Sequence, residues 1–343
     1  MNLRFLRRSS LLVALFVSFA LMTGCATDRS VLAQADQLHG SLEPAVIEDP
    51  QLASYLQKIG DRIISAAQEL DKQHFGPKSH FDKSQSDQWM FSNKMKFHFV
   101  NSKQVNAFTT GGEHMYVYNA LFQMVKNEDE LAAVMAHEYG HVYARHVAKG
   151  TNRQLGMLIG GAIVGGAAGY ALGGDNKASA AAVGAGAGTA GAGFLNMGFT
   201  RKDEEEADWL GFNFYTRAGW DPNRFGDFFQ TMIDKGYDKT PELLSDHPSL
   251  ANRVKSIREW VKKLPANAKQ WQQPNIADDA QFKDLQARAA KLAKTLPDDS
   301  KIKSSQQLAA ALPHSCVMPY EPKETEEARQ QLAKQAQTKK KSQ

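Results

Sequence analysis

The chain has 343 residues, 42% of them hydrophobic, enough for one sizeable domain with appendages. Its formal charge of +4 owes three units to Arg4, Arg7 and Arg8; without them it is +1, which gives no case for a nucleic-acid-binding face. Two cysteines, Cys25 and Cys316, are too few for a disulfide framework.

The first residues read as an export signal. The three arginines precede LLVALFVSFALM, residues 11–22, an apolar run too short to be a comfortable membrane span. MTGC, residues 22–25, resembles the lipobox of bacterial lipoproteins, with Met22 where Leu is commoner. The resemblance implies cleavage before Cys25 and acylation of its thiol and amine. With Ala26 following rather than Asp, it also implies attachment to the periplasmic face of the outer membrane. More than one acyl chain is what lasting attachment needs. Cys316 then lacks an intramolecular partner and is expected to be an idle thiol. Residues 1–24 are therefore expected to be a lipoprotein signal, and 25–49 a tether.

Next comes an amphipathic helix over 51–70, with Leu52, Leu56, Ile59, Ile63 and Leu70 on one face. Residues 71–88 are polar and punctuated, hence a loop. KFHFVN (96–101), QVNAFTT (104–110) and HMYVY (114–118) follow, the last two separated by a Gly-Gly turn, and predict a small antiparallel sheet. A helix then starts at Asn127 as cap, with Glu128, Asp129 and Glu130 in the first turn where the dipole favours acids. On it His137 and His141 are i,i+4 neighbours, so both imidazoles leave one face and can bite one zinc ion, and Glu138 can reach a water bound there.

Residues 155–198 alternate glycine with alanine, with small residues recurring at i,i+4. Such a tract suits either a close-packed hairpin or loop against the domain, or a membrane-inserting segment. Order returns at 200–219, where Thr200 and Asp203 suit a capping box and Gly219 a helix stop. Asp221-Pro222 starts another helix, and 249–264 a further one. Beyond Pro265 the chain is charged and weakly patterned, and reads as one or two peripheral helices with a disordered basic end.

The metal site needs a third ligand. An extended three-histidine motif fails, because Ala144 and Val147 stand where it needs Gly and His. His146, five residues after His141, falls away from the metal face and is read as structural. DEEEAD (203–208) offers carboxylates: Glu204 and Asp208 share a face, while Glu205 and Glu206 point elsewhere. One ligating carboxylate and one orienting a ligand histidine is the expected pairing.

HEYGHVYARH together with TRKDEEEADWLG resembles the HtpX–BepA–LoiP group of gluzincin zinc metallopeptidases, whose pattern is HEXXH…EXXXD. VNAFTTGGEHMYVYNAL and SDHPSLANR are similar to two further elements of that group, in the same order, and the lipoprotein signal makes the chain most similar to the LoiP-type branch. Thr200 stands where Ser is usual, and Asn119-Ala120 where a glycine is frequent. The resemblance implies an α+β, zincin-like fold, mainly helical, with the small sheet beside the HEXXH helix. It implies a peptidase domain over 50–264 and leaves 265–343 uncovered.

The resemblance further implies one zinc ion per chain, held by His137, His141 and Glu204, with Glu138 as general base and Asp208 beside a ligand histidine. It makes His247 a second donor to the developing oxyanion, or a group that occupies the open position and restrains activity. Arg253 is expected to buttress the His247 element. The strand at Val105, Asn106, Ala107 and Phe108 is expected to pair with an extended substrate. The expected function is endopeptidase action on unfolded or misfolded envelope proteins, with other envelope quality-control proteins as possible partners. The alternatives are a latent or non-cleaving lipoprotein acting as chaperone or scaffold, and a membrane-inserting or oligomerising role for the Gly/Ala tract.

Overall fold

The computed structural model describes residues 28–76, 89–151 except 93, 199–238, 249–312 except 275, and scattered positions between 323 and 334. The expected signal over 1–24, Cys25, the Gly/Ala tract, His247 and Cys316 lie outside the described residues. Helix α1 spans Asp28–Leu42, where a tether is expected. Its Val31, Ala35, Leu38 and Leu42 recur at helical spacing and are buried, which is why the stretch packs instead of hanging free. Helix α2, Pro50–Lys72, starts under the Asp49 carboxylate, which accepts from the Gln51 and Leu52 amides, and buries the apolar face read from its sequence.

Strands β1 (Lys96–Val100), β2 (Ala107–Thr109) and β3 (His114–Tyr118) form a sheet in the order β1-β3-β2. The sheet is mixed, not antiparallel: β2 and β3 pair antiparallel, but β1 pairs parallel with β3. The buried β3 takes the centre, where both its edges are paired, and the three-residue β2 is left at the edge. The outer edge of β1 is covered by residues 45–47, with Ile47 N–H donating to Phe99 O and Asn101 N–H to Ala45 O.

Short helix α3, Asn119–Met124, leads into α4, Glu128–Tyr143, which is capped by Asn127 and buried throughout. Its three leading acids do more than complement the dipole. Tyr55 donates to Glu128, Tyr215 and Arg224 bind Asp129, and Thr231 donates to Glu130, so side chains from four other segments dock on the start of α4. Helix α5, Arg201–Ala218, has the expected Thr200/Asp203 capping box and stops at Gly219, whose φ of 109° suits glycine.

Helices α6 (Asp227–Asp234) and α7 (Leu250–Lys262) follow, then α8 (Asp279–Thr295) and α9 (Ser300–Ala311). These last two are the helices expected beyond 265, but they carry core residues. Phe282 and Ala289 of α8 and Leu308 and Ala309 of α9 are buried. Gln286 donates to the Phe122 and Val125 carbonyls, and Tyr118 to that of Ala309. Among the described residues no helix is long and apolar enough to cross a membrane.

Candidate metal centre

Helices α4 and α5 pack face to face, and two glycines set how closely. A β-carbon on Gly140 would lie 2.7 Å from the Ala207 carbonyl oxygen, and one on Gly211 would lie 2.8 Å from the His137 nitrogen. With no side chain at either crossing point, the α5 carboxylates come within reach of the α4 imidazoles.

The result is a buried group of three. His137 Nε2 and His141 Nε2 are 3.1 Å apart, and Glu204 brings Oε2 to 3.5 Å from the first and Oε1 to 3.6 Å from the second. Donors about 2.0–2.1 Å from a tetrahedral ion stand about 3.3 Å apart, so this set of two nitrogens and a carboxylate fits zinc with little adjustment. His141 and Glu204 are fully buried and His137 is 2% exposed, so water does not screen their charges. Glu138 follows His137 on α4 and is itself fully buried.

The second nitrogen of each imidazole is also held. His137 Nδ1 lies 2.8 Å from Asp208 Oδ1. Arg253, from the first turn of α7, donates through Nε and Nη2 to the two Asp208 oxygens at 2.8 and 2.6 Å, while its guanidinium lies over the Phe229 ring. Burial pushes the Asp208 carboxyl up, but the Arg253 charge and the bonds to His137 and Arg253 bring it down to about 2. Burial likewise lowers His137, and its bonds to Asp208 and Glu204 more than reverse this, raising it to about 9. In the metal-free chain His137 therefore holds a second proton at neutral pH, and the site favours a cation of some kind.

His141 has its own support, which sequence reasoning missed. His146 Nδ1 lies 2.9 Å from His141 Nδ1, and His146 Nε2 lies 2.9 Å from Glu206 Oε2. The expectation that His146 falls away assumed one continuous helix. But α4 ends at Tyr143, and Arg145 takes a φ of 60°, which swings the buried His146 back beneath His141. Glu206 points away from the three converging groups, as expected, and meets His146 instead. Phe199 stacks on the His141 ring at 4.0 Å.

The structure thus brings His137, His141, Glu204, Asp208 and Arg253 together. Val105, Asn106, Ala107 and Phe108 lead into and form β2, the open edge among the described residues, which packs on α4. Asn106 and Ala107 are buried, and Phe108 stacks on Tyr116.

Residues 83–261 match the family described as peptidase family M48, a span that contains every one of these groups. The chain is 29% identical over 240 residues to the beta-barrel assembly-enhancing protease of Escherichia coli strain K12, covering 66% of this chain and 42% of that one. It is 27% identical over 184 residues to the mitochondrial metalloendopeptidase OMA1 of Saccharomyces cerevisiae, covering 50% of this chain and 48% of that one. To the protein of the same name in Schizosaccharomyces pombe it is 31% identical over 172 residues, 49% of this chain and 47% of that one. The chain spans less than half the length of each of these relatives.

Proposed function

Since the chain belongs to peptidase family M48, we propose that it is a zinc-dependent endopeptidase acting on unfolded or misfolded proteins of the cell envelope. The observation that carries this reading is the buried convergence of His137, His141 and Glu204, with each imidazole braced on its other nitrogen. Zinc held there would supply Lewis acidity and lower the pKa of a water molecule. Glu138, next to His137 on α4, would serve as the general base that takes a proton from the attacking water and passes it to the departing amine. Asp208, locked by Arg253, keeps the His137 ring in the orientation that turns Nε2 inward, and His146 does the same for His141. Arg253 acts through Asp208 rather than on substrate. His247 is the proposed second donor to the oxyanion, or the group that restrains the resting enzyme.

The edge of β2 suits main-chain pairing with an extended polypeptide, which favours unfolded over folded substrates. An envelope setting is supported by relatives named as beta-barrel assembly-enhancing proteases. Anchorage to the outer membrane, facing the periplasm, rests on Cys25 in its lipobox-like context.

The test compares the full chain, in detergent, with its Glu138→Gln and His137→Ala variants, reading zinc content and cleavage of a reduced, unfolded protein. Glu138→Gln is expected to keep the zinc that His137→Ala loses, while its cleavage falls at least about a hundredfold. Zinc at this centre with no cleavage even by the wild type would turn the reading to a latent or non-cleaving protein acting as chaperone or scaffold. Equal zinc in all three chains would remove the ion from this centre.

A further inference from the structure

Among the described residues a second group of metal-binding side chains converges, and the peptidase reading makes no use of it. His39 lies in the last turn of α1, His98 in the middle of β1 and His114 at the start of β3. The parallel register pairs Lys96 with His114 and His98 with Tyr116, so the two strand histidines share one sheet face with Tyr116. His98 Nε2 and His114 Nδ1 are 3.0 Å apart. The His39 ring stacks on His114 at 4.1 Å and lies 4.5 Å from His98. One ring nitrogen from each histidine lies within 4.8 Å of those of the other two.

We propose that His39, His98 and His114 form a second metal site, distinct from the His137–His141–Glu204 centre, for a divalent ion of zinc or copper type. Three imidazoles with open positions are a donor set for such ions, whereas magnesium and calcium want oxygen. The separation of His98 and His114 already matches two nitrogens on one ion, whereas His39 has to turn out of its stack on His114 and close by at most about 1.5 Å. The outer partners fit as well. Asp36 Oδ1 lies 3.3 Å from His114 Nε2, which leaves Nδ1 to face His98, and Tyr116 Oη lies 2.9 Å from His39 Nδ1, which leaves Nε2. A carboxylate or hydroxyl on the far nitrogen is the usual brace of a ligand histidine.

Burial disfavours the charged form of all three histidines. A cavity of about 430 Å³ borders His39 and His98, and the exposed Glu43 and Glu48 at its lining would draw a cation in. Plain aromatic packing needs no histidine, since phenylalanine fills the same space without burying ring nitrogens. An ion here joins α1 to the sheet whose far edge is β2.

The experiment uses the full chain carrying His137→Ala and His141→Ala, equilibrated with zinc at pH 7 and dialysed, with metal measured per chain and thermal unfolding followed. About one equivalent is expected to remain and to raise Tm. Adding His98→Gln and His114→Gln should remove both the ion and the Tm rise. If the first chain retains no zinc, or the histidine substitutions leave retention unchanged, the site does not exist. His39→Gln alone, at the end of α1, guards against misfolding: with unchanged circular dichroism it should lower zinc in the otherwise wild-type chain from two equivalents to one. Because the two centres lose their ions to different substitutions, failure of this site and failure of the peptidase centre are separately visible.

Discussion

At the scale of single residues the centre turns on the charge of Asp208. It is buried with Arg253, and its negative charge gives His137 the means to hold a proton up to about 9. A raised histidine value stabilises the metal-free fold fully below about pH 6.5, and that contribution is lost as pH rises through 9. Zinc must displace the same proton, so affinity at this centre is expected to rise about tenfold per pH unit between 6.5 and 9, with one proton released per ion. Of the two causes of the raised value, Asp208 and the lesser Glu204, Asp208→Asn removes the larger. Its zinc affinity at pH 8 should be about 10–100-fold weaker, and its dependence on pH flatter. Chelator competition at several pH values, read on the ion that His137→Ala removes, checks both; an unchanged slope in Asp208→Asn would assign the proton to another group.

Much of this geometry was legible in the sequence, because i,i+4 and E-x-x-x-D spacings put groups on one helix face whatever the helices pack against. His146 was not legible. Its place depends on a single backbone turn at Arg145, a non-glycine residue with positive φ, which helical periodicity cannot announce. The second histidine group was invisible for a different reason: its members come from three elements and share no spacing.

Among the elements, the α4–α5 pair decides whether the carboxylates meet the imidazoles. The caps of both helices and the stop of α5 could be read from Asn127, Thr200, Asp203 and Gly219, since those signals are local. That Gly140 and Gly211 mark a crossing could not, because a close approach belongs to two surfaces at once. Sheet order escaped for a similar reason, as alternation defines strands and not which strand is central. Gly140→Ala puts a methyl against backbone that cannot rotate away, unlike a flexible side chain. It is expected to cost about 1–3 kcal/mol and to weaken zinc binding by moving Glu204 outward. Urea unfolding with and without zinc measures both. Ordinary stability with intact affinity would show that the helices separate without disturbing the centre.

At the scale of the whole molecule the question is whether α8 and α9 belong to the peptidase fold or merely lean on it. Their sequence is rich in Lys, Gln and Ala, with large apolar residues too sparse to announce a core face. Yet Phe282 is fully buried and meets Phe122 edge-on at 5.4 Å. Arg288 clasps Asp49, the same carboxylate that caps α2, and Ser305 donates to the Ser41 carbonyl at the end of α1. Through these contacts both ends of the described chain close over the face that α3 and β3 present. If that closure is part of one cooperative unit, Phe282→Ala should cost about 3–5 kcal/mol, the cost of emptying a fully buried aromatic site. The transition followed by zinc release and the one followed by far-ultraviolet circular dichroism should then shift together. If α8 and α9 were an appendage, the substitution would leave the zinc-linked transition in place and create a separate, earlier one. The bonds that Gln286 and Tyr118 make to carbonyls of the opposing layer argue for the first outcome, because detaching the helices would strand the Phe122 and Val125 carbonyls and the Tyr118 hydroxyl in the remaining core.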